Sequence, residues 1–169
     1  MNRFDIIIWG ATSFTGKLVT EYFFKNFASN KIKWAIAGRN KSKLENIRLE
    51  VADEKIPILI ADSFDEKSLS LIVKETRVIC STVGPYALYG SLLVELCVKH
   101  STNYCDITGE AHWIRTLIDK FHEDAKSKKI KIVNSCGFDS IPSDIGVYFI
   151  QNEIKKVYNN YAKSIKMRV

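Results

Sequence analysis

Six short runs, Asp5–Trp9, Lys33–Ala37, Pro57–Ala61, Arg77–Thr82, Asn103–Thr108 and Lys131–Ser135, are strand-like and almost continuously apolar, without alternation. A strand that is apolar on both sides must be covered on both faces, as happens in a parallel sheet flanked by helices. The segments between them repeat with the helical period. Leu18, Val19, Tyr22, Phe23 and Phe27 line one stripe, and Leu69, Ile72 and Val73 a second. Leu92, Leu93, Leu96 and Cys97 make a third, and Trp113, Leu117, Ile118, Phe121 and Ala125 a fourth, with a weaker helix over Lys41 to Val51. Strands at this interval, joined by right-handed crossovers, predict a doubly wound Rossmann-type α/β domain of three layers with strand order 3-2-1-4-5-6.

Glycine placement agrees. Gly10, Gly38, Gly84, Gly109 and Gly137 each fall just past the carboxyl end of a predicted strand, the edge where such sheets bind ligands. After Ile141-Pro142-Ser143-Asp144 a further helix is expected to about Val157, then a polar turn over Tyr158–Tyr161 and a strand-like run from Ser164 to Val169. Residues 1–157 are therefore expected to form the dinucleotide-binding domain, and 158–169 to begin a connection or a second domain.

Composition narrows the function classes. With 46% hydrophobic and 26% charged residues the chain can bury a core, which excludes disorder over most of its length. Its longest apolar stretches, Ile6–Trp9 and Leu92–Val94, fall far short of the roughly 18–20 residues of a membrane span. The start shows no signal-peptide pattern, so a cytoplasmic protein is expected. The net charge of +6 is spread along the chain, and no basic–aromatic motif accompanies it, so no nucleic-acid partner is expected. The four cysteines have no C-x-x-C spacing and His100, His112 and His122 do not cluster, so neither a metal site nor a disulfide framework is expected. The cysteines are read as small buried hydrophobes.

Gly10-Ala11-Thr12-Ser13-Phe14-Thr15-Gly16 follows the first strand and opens the first helix. A glycine turn there lets backbone N–H groups and the helix N-terminus face a pyrophosphate. Ser13 stands where a central glycine is usual, and the hydroxyls of Thr12, Ser13 and Thr15 are candidate phosphate donors. The second strand ends in Ala37-Gly38-Arg39, with no acidic residue for a ribose 2′-hydroxyl. Arg39, with Lys41 and Lys43 behind it, suits a 2′-phosphate and hence NADP(H). Asp62 lies either at the adenine edge or at a helix N-cap. Gly84 and Pro85 make a stiff turn beside the ribose and nicotinamide side. Tyr86 is the candidate proton donor in this half. Asp106, Glu110, Asp139 and Asp144 gather at the same edge, to position substrate, relay a proton or cap helices.

These motifs, with Tyr104-Cys105-Asp106-Ile107-Thr108-Gly109-Glu110 and Gly137-Phe138-Asp139-Ser140-Ile141-Pro142-Ser143-Asp144, occur in an order that resembles the saccharopine dehydrogenase-like oxidoreductases, including the trans-acting enoyl reductases. The resemblance covers nearly the whole chain. It implies an NADP-binding domain, with Gly10, Ser13 and Gly16 at the pyrophosphate and Arg39 at the 2′-phosphate, followed by a second domain that closes over the nicotinamide. Family members run to about twice this length, so the second domain is expected to be missing here and the chain truncated. The implied activity is hydride transfer to or from a C=C or C=N bond of a small enoyl or imine substrate. The alternative is a non-catalytic nucleotide-binding or scaffolding module. A short-chain reductase is disfavoured, because Tyr22, Tyr148 and Tyr158 are followed at the fourth position by Asn26, Asn152 and Ala162 and not by lysine. An uncovered substrate side predicts self-association into a homo-oligomer. Gly10→Val is expected to abolish dinucleotide binding while leaving the domain folded.

Overall fold

The computed structural model describes residues 4–27, 31–51 and 55–168. The chain runs β1 (Phe4–Trp9), α1 (Phe14–Phe27), β2 (Trp34–Gly38), α2 (Lys41–Glu50), β3 (Ile58–Ile60), α3 (Glu66–Lys74) and β4 (Thr76–Ser81). It continues with α4 (Tyr86–Tyr89), α5 (Ser91–His100), β5 (Asn103–Asp106), α6 (Ala111–Ser127), β6 (Ile132–Val133) and α7 (Ile141–Tyr158). All paired strands are parallel, in the order β3-β2-β1-β4-β5-β6. The order reverses between β1 and β4, so a crevice opens at their carboxyl ends.

The unalternating strands behave as their composition requires. Ile7 and Ile8 point to opposite faces, and both are fully buried. Ile7 belongs to a core with Leu69, Ile79, Leu93 and Trp113, beneath α3, α5 and α6. Ile8 belongs to a second core with Ile36, Leu44 and Ile47, against which Val19 and Phe23 of α1 pack. Side-chain caps set two helix starts. Asn40 accepts from the Lys43 N–H and begins α2, and Asp65 accepts from the N–H groups of Lys67 and Ser68 and begins α3.

The structure corrects the sequence in four places. α4 was not expected, and it is a single turn after Pro85. β6 keeps only two residues, because Asn134 and Ser135 turn aside to bond Asp106. Residues 164–168 form no strand, and none of the described strands pairs with them. Cys136 is exposed, since it lies in the loop beyond the shortened β6, while Cys97 is buried and Cys80 and Cys105 are half-buried.

α7 has no buried residue among those described. Ile141, Ile145, Tyr148 and Phe149, spaced to share one face of the helix, are all exposed. A groove of about 330 Å³ between α6 and β6, lined by Leu117, Phe121, Ile130 and Ile132, is likewise open. Uncovered apolar surface of this kind associates. The purified chain should show a sedimentation-derived mass that rises with concentration, and Ile145→Glu with Phe149→Glu should lower it toward the monomer. A monomer at every concentration would contradict this expectation.

Candidate functional site

A cleft of about 390 Å³ opens at the carboxyl ends of β1, β2, β3 and β4. It brings together Gly10, Thr12, Ser13, Arg39, Asp62, Gly84 and Pro85 from the sequence motifs. Phe64 and Tyr89 also face it, with ring centroids 5.4 Å apart; no motif had singled them out. Ala11, Phe14, Thr15 and Gly16 belong to the same turn but do not line the cleft wall. Ala11 and Gly16 are buried beneath it, while the Phe14 ring is 82% exposed.

The first turn is held close to β4. Gly10 adopts φ +87, and a Cβ built there would run into the Val83 side chain and lie 3.0 Å from Thr82 Oγ1. Gly10 therefore supports the fold as well as the ligand edge, so Gly10→Val is expected to lose stability as well as dinucleotide binding. A Cβ on Gly16 would meet the Gly10 carbonyl oxygen and lie 2.8 Å from Ala11 Cα. The turn tolerates no side chain at either position.

Ser13 plays a different part from the one expected. Its hydroxyl accepts from the Gly16 N–H at 2.9 Å and donates toward Thr82, whose carbonyl and Oγ1 lie at 3.3 and 3.2 Å. Its N–H goes to the Gly10 carbonyl at 2.9 Å. The hydroxyl is thus directed at Thr82, and the side chain helps to build the turn. Among the described residues nothing accepts from the N–H groups of Thr12, Phe14 and Thr15, at the open end of the fourteen-residue α1. Three free donors and the positive end of a helix dipole suit a pyrophosphate.

Arg39 follows β2, is exposed, faces the cleft and has no ion-pair partner among the described residues. Lys41 is drawn to Glu45 at 3.8 Å. Asp62 is not a helix cap, because Asp65 takes that role for α3. One Asp62 oxygen accepts from the Phe64 N–H at 2.9 Å, and the residue lines the cleft near the end of β3.

Tyr86, the candidate proton donor, is corrected by its surroundings. The side chain is buried and packs 5.6 Å from the Trp113 ring, and its hydroxyl donates to the Ser81 carbonyl at 3.1 Å. Burial pushes its pKa well above the usual phenol range. Its proton is committed inside the core, so Tyr86 is a packing residue. Glu110 departs from both expected roles. It stands at the N-cap position of α6 without capping it, and its carboxylate accepts from the N–H groups of Tyr86 at 2.6 Å and Ala87 at 2.9 Å. The sequence offered no signal for that partner, which lies 24 residues away.

A family model described as the saccharopine dehydrogenase NADP binding domain matches residues 6–133. The chain belongs to that family. It is an NADP(H)-binding domain, with the donor set and arginine just described at its sheet edge. A lipid droplet localized protein of Caenorhabditis elegans is 32% identical over 99% of this chain and 41% of its own length. The trans-acting enoyl reductase of Mycobacterium tuberculosis strain H37Rv is 39% identical over 86% of this chain and 35% of its own. The chain thus spans well under half the length of these relatives. Among solved structures, apo saccharopine dehydrogenase (L-Glu forming) from Saccharomyces cerevisiae superposes with a TM-score of 0.68 at 16% identity, over 92% of this chain and 32% of that one. The leucoanthocyanidin reductase–NADPH complex from Vitis vinifera does so with 0.54 at 17%, over 76% and 48%. At these identities the likeness is one of fold.

Proposed function

We propose that this chain supplies the cofactor-binding half of an NADP(H)-dependent oxidoreductase acting on a C=C or C=N bond of a small enoyl or imine substrate. The observation that carries this reading is the cleft at the carboxyl edge of the family's NADP-binding fold, with N–H donors at α1 and an arginine after β2 that have no partner among the described residues. The N–H groups of Thr12, Phe14 and Thr15 would hold the pyrophosphate, and Arg39 the 2′-phosphate. Asp62 lies where the adenine edge would fall, and Gly84 and Pro85 on the nicotinamide side. The bound cofactor supplies the hydride, and the protein orients it. The name of the mycobacterial relatives supports an enoyl substrate; that of the nematode relative makes a lipid surface a place to look for the protein alongside the cytoplasm.

Once Tyr86 is assigned to the core, the uncommitted hydroxyls on the cleft wall are those of Thr12, Ser63 and Tyr89, none of them bonded by the described residues into a proton relay, and the chain spans well under half the length of its relatives. That favours a division of labour in which substrate-side groups come from a covering domain, docked against the open α7 face. A site without cover admits water and leaves the substrate side incomplete. The purified 169-residue chain should therefore bind NADPH yet oxidise it no faster with an enoyl or imine substrate than without, read as loss of the reduced nicotinamide absorbance. Robust turnover by the chain alone would overturn the division of labour. Failure to bind NADPH would leave the non-catalytic scaffolding module as the better reading.

A further inference from the structure

The Gly84–Pro85 turn is exposed on the cleft wall, yet the groups that hold it come from β5 and beyond. Asp106, 1% exposed, accepts from the N–H groups of Thr108 and Ser135, both at 3.1 Å, and from the Asn134 side-chain amide at 2.8 Å. The Ser135 hydroxyl donates to the Thr108 carbonyl at 2.7 Å, and Thr108 Oγ1 accepts from the Glu110 N–H at 3.1 Å. The Glu110 carboxylate then leaves its own helix and takes the N–H groups of Tyr86 and Ala87, one on each oxygen. A continuous hydrogen-bonded line thus runs from the end of β6, across β5, to the residue after Pro85.

We infer that Glu110 is a positioning residue for the nicotinamide half of the cofactor, acting through the Gly84-Pro85-Tyr86 turn. The inference rests on the NADP(H) reading above. In a doubly wound sheet one mononucleotide lies over the β1–β3 half and the other over the half that begins at β4. Arg39, Asp62 and the α1 donors serve the first half; the turn after β4 serves the second. A carboxylate fits here because two N–H groups converge on it, and it offers an acceptor to each. A glutamine offers one acceptor and turns an NH₂ toward the other N–H, so one of those groups is left facing a donor. The carbonyls of Pro85 and Tyr86 accept from the Leu88, Tyr89 and Gly90 N–H groups, and the Tyr86 ring is held by its hydroxyl and by Trp113; the Tyr86 and Ala87 N–H groups have Glu110 as their partner among the described residues.

The test compares two ligands on the full chain, NADPH and adenosine 2′,5′-bisphosphate, the second carrying the 2′-phosphate and adenosine but no nicotinamide. Dissociation constants are measured by titration calorimetry for wild type, Glu110→Gln and Arg39→Ala. Glu110→Gln should weaken NADPH severalfold, with about tenfold, the worth of one charge-assisted hydrogen bond within the turn, as the ceiling. It should leave the bisphosphate within about twofold, as for distant sites. Arg39→Ala should weaken both. A purely structural role would move both ligands together in Glu110→Gln, and that result, or no change in either, overturns the inference. Should Glu110→Gln not fold, amide exchange on wild type decides: NADPH should slow exchange over residues 84–89 more than the bisphosphate does, and equal protection overturns it. A wild type that binds neither ligand fails before any substitution is made, and takes the cofactor reading down with the inference.

Discussion

Arg39→Ala should cost the chain most of its NADPH affinity and little of its NADH affinity. Arg39 stands at the end of β2, exposed toward the cleft, with no carboxylate of the described chain paired to it. Its guanidinium can meet a 2′-phosphate with two parallel bonds. Charge-assisted hydrogen bonds of this kind contribute about 1.5–3 kcal/mol, or roughly 10- to 100-fold in affinity. NADH has no such phosphate and should change by little beyond any lost stacking on adenine. Arg39→Asp should go further, repelling the phosphate and offering the 2′-hydroxyl an acceptor, so the preference narrows or inverts. Both dissociation constants are to be measured at one ionic strength, because the interaction is screened by salt. Equal losses for the two cofactors would reduce Arg39 to a stacking role. Lys43 would then be the next cation to test, since Lys41 is engaged with Glu45.

The strand order and the ligand edge were legible because they follow from local patterns. A run such as Ile6-Ile7-Ile8-Trp9, apolar on both sides, can only sit inside a covered sheet, and a glycine at its end marks the turn. The three corrected side chains share one physical cause. Ser13, Tyr86 and Glu110 carry polar groups whose partners, Thr82, the Ser81 carbonyl and the Tyr86 and Ala87 N–H groups, belong to the end of β4 and the turn that follows it. Which way such a group points is decided by which unsatisfied backbone group needs it in the folded state, and not by its neighbours in sequence. α4 was missed for a related reason. A four-residue turn has no periodicity to read, and its first two N–H groups are satisfied by Glu110, the residue just before α6. α7 shows the opposite case: its pattern announces a helix correctly, and says nothing of whether a partner covers it.

The largest loss of stability should come from the glycines of the first turn. In Gly10→Val the new side chain must occupy φ +87 and press on Val83 and Thr82, which are themselves fixed by the Thr82 hydroxyl on the Trp9 and Gly10 carbonyls. The left-handed conformation costs about 1–2 kcal/mol for a residue with a Cβ. Overpacking adds about 1–3 kcal/mol. Against a total stability of about 5–15 kcal/mol, that is a large fraction. For a chain of this size each kcal/mol lowers the melting temperature by about 2–4 °C, so a fall on the order of 5–20 °C is expected. Gly16→Ala should be nearly as damaging with a far smaller substituent, since its Cβ meets the Gly10 carbonyl and Ala11 backbone rather than a side chain that can rotate away. Gly146→Ala is the control. It lies within α7 with nothing inside 4 Å of a built Cβ, so it should gain about 0.5–1 kcal/mol from helix propensity alone. Thermal unfolding of the three variants followed by circular dichroism separates the effects, and NADPH titration of whatever remains folded should find binding lost in the first two and kept in the third. If Gly16→Ala melts with wild type and still binds NADPH, the close approach of α1 to the β1 turn is not what holds the phosphate cradle in shape.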